Sequence, residues 1–158
     1  MIPVYQHSFG YGKGSCAWAC VASIFEVSIE SLKIDKIMPP TDTDLAKFTA
    51  CRWPAIQFHY EDLACDYELI DGPSVPEHPH PKRWSYAAPE TFEPPPVEFW
   101  MATVFSPGLK RPVGDPYYPM PALHAVVMQG DKLAHDPNPN YTHSELYSPV
   151  VAKSWWTS

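Results

Sequence analysis

The chain has 158 residues, a formal net charge of -7 at pH 7 and four cysteines. This length is typical of a single domain, in which about 70% of the unfolded chain's surface becomes buried. The acidic charge and the absence of a basic stripe argue against a nucleic-acid partner. The sequence contains no apolar run of about 18 residues, so no membrane span is predicted.

The first predicted element is a helix that begins near Ser15 or Cys16. Behind Cys16, apolar residues recur at the spacing of a helix face packed on a core: Ala17, Cys20, Val21, Ile24 and Phe25. A glycine-rich loop precedes it, and Ser15 is a candidate N-cap whose oxygen would accept from amides of the first turn. Cys16 then lies where the helix dipole favours a thiolate. Cys20 belongs to the apolar stripe and is expected to be inert core.

The middle of the chain predicts a helix capped by Thr41 or Asp42, a second helix opened by Pro54 through residues 56–63, and a strand at 67–70. Proline is unusually frequent: it accounts for 20 of the 158 residues, more than twice the usual share of about 5%. The prolines predict two surface loops, near residues 72–96 and 106–121. The second loop leads directly to His124 and is a natural cleft wall.

A hairpin is predicted from residue 123 to residue 136, with its turn around Gly130. If the loop is centred on Gly130, His124 and Asp136 become direct cross-strand partners with β-carbons about 4.5–5.5 Å apart. A two-residue loop, Gly130-Asp131, would shift this register unless the turn is bulged. His135 points to the other face and is expected to be exposed.

Further strands are predicted at 99–105 and in the tail, 150–155. Because helices come first and antiparallel strands later, the predicted fold class is α+β, a single domain in which the N-terminal nucleophile helix packs on the sheet that carries His124 and Asp136. A thiol at a helix start, a histidine and a carboxylate are the working parts of a cysteine hydrolase.

These residues resemble the papain-like cysteine peptidases. Gly14-Ser15-Cys16 followed by Trp18-Ala19 is similar to the family's Gly-Ser-Cys-Trp-Ala, with one alanine inserted. The strand from His124 followed by Asp136-Pro137 looks closer to the bacteriocin-leader-peptidase branch and to small bacterial and phage proteins of that type. The resemblance covers roughly residues 3–32 and 97–139. It implies that Gln6 donates to the oxyanion.

The predicted activity is cleavage of an amide bond by the thiolate of Cys16, with His124 as acid and base, Asp136 orienting it, and Gln6 with the Cys16 amide holding the oxyanion. The substrate is a peptide, a protein, an isopeptide or a small amide, and no cofactor is expected. Acyl transfer and a catalytically inactive binding module remain open alternatives. No secretory signal is recognised at the N-terminus, and four cysteines then favour reduced thiols and a cytoplasmic location.

Metal binding is the remaining alternative. Its possible ligands are Cys16, Cys20, Cys51, His59, Cys65, His78 and His80. Zinc sites usually show close-spaced ligand pairs that bracket a loop, and neither a CxxC nor an HExxH motif is present. The sequence therefore favours no metal site.

Overall fold

The computed structural model describes residues 1–9, 14–34, 39–63, 66–71, 82–87, 93–110, 121–139 and 150–158. Two α-helices, α1 (Cys16–Phe25) and α2 (Asp42–Arg52), flank a short 3-10 helix at Glu30–Leu32. In the described part of the chain seven strands follow: β1 (Gln57–Asp62), β2 (Asp66–Asp71), β3 (Lys82–Ala87), β4 (Phe99–Lys110), β5 (Pro121–Gln129), β6 (Lys132–His135) and β7 (Val150–Thr157). The predicted α+β class is confirmed.

Five of the strands form one antiparallel sheet in the order β1-β7-β4-β5-β6, and β2 pairs with β3 in a separate two-stranded sheet. The predicted tail strand is confirmed as β7, which lies inside the sheet between β1 and β4. The last described residues therefore join β1 to β4, and β4 pairs in turn with β5 of the β5–β6 hairpin.

Alternating residues of β4 and β5 belong to two hydrophobic clusters, one on each face of the sheet. One cluster contains Met101, Ala125 and Val127 and packs against α1, whose side chains are buried from Ala17 to Ser23. The other contains, among others, Trp100, Ala102, Val104 and Val126. Because α1 is buried on all sides, it lies at the centre of the first cluster. The predicted packing of α1 on the sheet that carries His124 is confirmed.

The N-terminus of α2 is also as predicted. Thr41 accepts from the Asp44 N–H, and the Asp44 carboxylate accepts from the Thr41 N–H, which completes a capping box. The helix predicted for 56–63 is wrong, because residues Gln57–Asp62 form β1 and pair along their length with β7. Pairing with a strand distant in sequence overrides a local helix signal there.

The proline-rich segments contain more regular structure than predicted. The segment near 72–96 includes β3, which is paired with β2, and the segment 106–121 is shortened because β4 continues to Lys110 and β5 begins at Pro121. Residues 72–81, 88–92 and 111–120 lie outside the described part of the chain. None of the described helices is long and apolar enough to cross a membrane.

Candidate active site

The start of α1 presents Cys16 to the sheet. Cys16 is the first residue of the helix and Ser15 is its N-cap residue, as predicted. The predicted capping bond is absent, however. The Ser15 hydroxyl oxygen accepts instead from the backbone N–H groups of His7 (3.2 Å) and Ser8 (3.3 Å). The N-terminal segment, residues 1–9, therefore takes the serine oxygen that would otherwise cap the helix.

The hairpin brings His124 and Asp136 together in a register that differs from the predicted one. The turn is the two-residue Gly130-Asp131, with Gly130 in the left-handed region at φ 59°. Val127 pairs with His135 after a register shift next to Met128, which is a β-bulge. The prediction that His124 and Asp136 are direct cross-strand partners was therefore wrong.

Continuing the register past the bulge makes His124 and Asp136 diagonal neighbours, which long side chains can still connect. The imidazole Nε2 lies 2.8 Å from Asp136 Oδ1, and both side chains are buried. The same carboxylate oxygen accepts from the Asn138 N–H at 2.8 Å. Asp136 is thus fixed by its own turn, and the sequence analysis missed the contribution of Asn138.

The Cys16 thiol and the His124 imidazole share a hydrogen bond. Burial on its own would raise the pKa of the thiol, but the hydrogen bond and charge of His124, with backbone hydrogen bonds of Ala125 and Ala17, hold that pKa below its ordinary value of 9.0. Burial would lower the pKa of His124, yet Asp136 and Cys16 raise it to about 9. Both shifts are in the direction that favours a thiolate beside an imidazolium.

Because Nε2 of His124 faces Asp136, Nδ1 is the ring nitrogen that remains for the sulfur. The imidazole therefore lies between the Asp136 carboxylate, which fixes its orientation, and the Cys16 thiol. This is the connectivity that nucleophilic catalysis requires.

Gln6 also lines the cavity beside Cys16. Its backbone N–H donates to the Pro137 carbonyl at 2.9 Å and its side-chain Nε2 donates to the Ser8 carbonyl at 2.9 Å. Its Oε1 is buried and has no hydrogen-bond partner among the described residues. An amide nitrogen carries two hydrogens, so Nε2 has a second one that can donate to a carbonyl oxygen near Cys16.

The predicted burial of two neighbouring residues, Cys20 and His135, was right for the first and wrong for the second. Cys20 is fully buried, as predicted, and burial raises its pKa well above 9.0. The expectation that His135 is exposed was wrong: it is 7% exposed, its Nε2 lies 2.9 Å from the Val4 carbonyl, and its ring meets Tyr5 edge-on. The N-terminal segment covers β6, and no local pattern in the sequence shows that contact.

A cleft of about 600 Å³ opens beside Cys16, within the size range of ligand pockets. Buried Leu45 and Met101 lie in its lining, and the exposed apolar side chains of Phe9, Tyr60 and Leu123 also contribute to it. Exposed large apolar side chains gathered in one place are typical of a binding surface. Cys16 belongs to the same lining, so a molecule bound in the cleft would lie beside it.

Among the described residues, no group of three or more His, Cys, Asp and Glu side chains is placed to hold a metal ion. Of the alternative ligands, His59 contacts the Thr157 hydroxyl at 2.7 Å and Cys51 is exposed on α2. The remaining possible ligands, Cys65, His78 and His80, lie outside the described residues.

No family model, curated protein or solved structure matches this chain. The geometry and chemistry of the site therefore carry the assignment of function.

Proposed function

We propose that the protein is a papain-like thiol hydrolase that cleaves a peptide, isopeptide or other amide bond. The observation that carries the proposal is the chain of contacts from the Cys16 thiol to His124 and from His124 to Asp136. Each contact favours the charge state that the next step needs. A thiolate is the nucleophile, and an imidazolium is the acid.

In the proposed reaction the Cys16 sulfur forms a bond to the carbonyl carbon, and the π electron pair moves to the oxygen. The Cys16 amide and Gln6 donate to this oxyanion. When the intermediate collapses, the C–N bond breaks and His124 gives its proton to the leaving amine. Water then loses a proton to His124 and attacks the thioester, which releases the acid and restores the thiolate.

Acyl transfer is the second candidate, since an amine can replace water in the last step. The open cleft beside Cys16 supports this alternative, because it leaves room for a second nucleophile. A cytoplasmic location is also part of the proposal, since the proposed chemistry needs a reduced Cys16. A binding module would keep the cleft and show no turnover.

The test uses p-nitrophenyl acetate, a small activated ester that needs no specificity pocket. The expected result is a burst of p-nitrophenolate and an acetyl group on Cys16, located by peptide mass spectrometry. Peptide libraries with amine nucleophiles added or withheld then separate hydrolysis from transfer. An absence of Cys16 acylation in the folded wild-type protein would refute the proposal and leave the binding module.

A further inference from the structure

We propose that Ser15 is a positioning residue that holds Gln6 beside Cys16, a role that rests on the proposed function. Ser15 is 1% exposed and precedes the nucleophile. Its hydroxyl oxygen accepts from two consecutive backbone N–H groups, those of His7 and Ser8. A hydroxyl has two lone pairs, so both are used on the segment that carries Gln6.

The Ser8 carbonyl is the second junction of this network. It accepts from the Ser15 N–H at 3.2 Å and from Gln6 Nε2 at 2.9 Å. The side-chain amide of Gln6 is thus tied through one carbonyl to the residue that precedes the nucleophile. The Gln6 backbone is tied to Pro137, in the turn after the triad carboxylate. Residues 6–8 therefore bridge the two halves of the site.

The hydrogen-bonding state of Gln6 indicates that this bridge serves a ligand. The side chain is 8% exposed, one Nε2 hydrogen is used, and Oε1 has no partner among the described residues. Buried amides in a purely structural role are normally satisfied at both ends. Only Nε2 of this amide can donate to a substrate carbonyl, and it has a second hydrogen to do so at the cleft of Cys16, whereas Oε1 is an acceptor and would take a donor from the ligand.

Ser23 provides a matched control on the same helix. It is also fully buried, and its hydroxyl accepts from the Val4 N–H at 2.9 Å and donates to the Ala19 carbonyl at 2.8 Å. It thus anchors the same N-terminal segment, about 12 Å further along the helix axis. Ser23→Ala therefore removes a comparable contact away from the nucleophile.

Two reactions at the same sulfur separate positioning from general damage. Attack on p-nitrophenyl acetate forms an oxyanion before p-nitrophenolate leaves, whereas iodoacetamide loses iodide from a saturated carbon and forms none. We expect Ser15→Ala to slow acylation of Cys16 by roughly 10–100-fold, as expected for misplaced groups, and to leave alkylation close to the wild-type rate. Ser23→Ala should leave both rates unchanged.

A double-mutant cycle tests whether Ser15 acts through Gln6. Ser15→Ala should cost little further acylation rate in a Gln6→Ala background, because the group it positions is already absent. Ser15→Thr and Ser15→Val extend the test if the alanine variant does not fold. Their side chains have the same shape, so faster acylation in the threonine variant reports the hydroxyl oxygen alone.

Three results would overturn the role of Ser15 while the wild-type enzyme remains active. They are unchanged acylation in Ser15→Ala, an equal loss in Ser23→Ala, and additive losses with Gln6→Ala. If wild-type Cys16 is alkylated but never acylated, the proposed function fails and the positioning role falls with it.

Discussion

Cys16 and Cys20 lie one turn apart on α1, and their thiols differ in acidity. Cys16 is partly exposed and Cys20 is fully buried, and burial acts on each to raise the pKa. At Cys16 the imidazole of His124 and nearby backbone groups reverse that effect, whereas at Cys20 the negative charges of Cys16 and Asp136 add to it. Contact with an imidazole thus distinguishes Cys16, the proposed nucleophile, from Cys20.

The largest expected effect is loss of turnover in Cys16→Ala and in His124→Ala. Removing a nucleophile or its base from such a unit costs roughly 10⁴-fold or more in kcat. Cys20→Ala should retain turnover and lose about 1–2 kcal/mol of unfolding free energy, since it leaves a small cavity in the core. Rates with p-nitrophenyl acetate and urea unfolding check both results. An inactive but stable Cys20→Ala protein would break the contrast.

Asp136→Asn is expected to have a smaller effect. The asparagine oxygen can still accept from an imidazolium, so orientation is weakened while nucleophile and base survive. We expect a reduced residual rate, with a loss smaller than the roughly 10⁴-fold seen for this substitution in a serine triad. The pH profile of kcat/KM measures it. A loss as large as that of His124→Ala would instead assign Asp136 an indispensable role.

The helices beside the site could be predicted from local sequence patterns, whereas the register of the hairpin could not. The apolar spacing after Cys16 locates α1, and the capping residues at Thr41 locate α2. The hairpin followed from a strand pattern around Gly130, but its register did not. Whether a bulge compensates for a two-residue turn depends on packing beneath the strands, which the turn residues do not encode.

The contacts of the N-terminal segment could not be predicted. Three of its partners, Ser23, Pro137 and His135, are distant in sequence, and the contacts with them and with Ser15 are mostly made through backbone groups. Backbone hydrogen bonds leave no trace in residue type. The same limit explains the missed β1, whose partner β7 lies almost 100 residues later along the chain.

Alkylation at graded pH sharpens the comparison of the two thiols. Since the pKa of Cys16 is lowered, its labelling by iodoacetamide should persist to lower pH than that of an ordinary thiol and fall as pH drops through that pKa. Cys20, with its pKa raised, should stay unlabelled in the native protein.

His124→Ala is the matched variant for this measurement. Loss of the imidazole removes the main cause that lowers the Cys16 pKa, so labelling at pH 7 should fall by roughly tenfold. Cys51 is exposed, so the measurement uses a Cys51→Ser, Cys65→Ser background, with the modified peptide identified by mass. Equal labelling of Cys16 and Cys20 would contradict the assignment.

Chelation of metal ions is expected to have the smallest effect. A metal site would use the thiols of Cys16 and Cys20 as equivalent ligands, and the structure makes them different. A metal-binding cysteine must be a thiolate, whereas burial keeps Cys20 protonated, and the Nε2 of His124 is engaged by Asp136. We expect no stoichiometric zinc by elemental analysis and an unchanged melting temperature in EDTA. The control is a second melt after excess zinc is added and removed by dialysis. One tightly held zinc per chain, with unfolding on its removal, would reverse the ranking of hydrolase over metal protein and place both cysteines in one structural role.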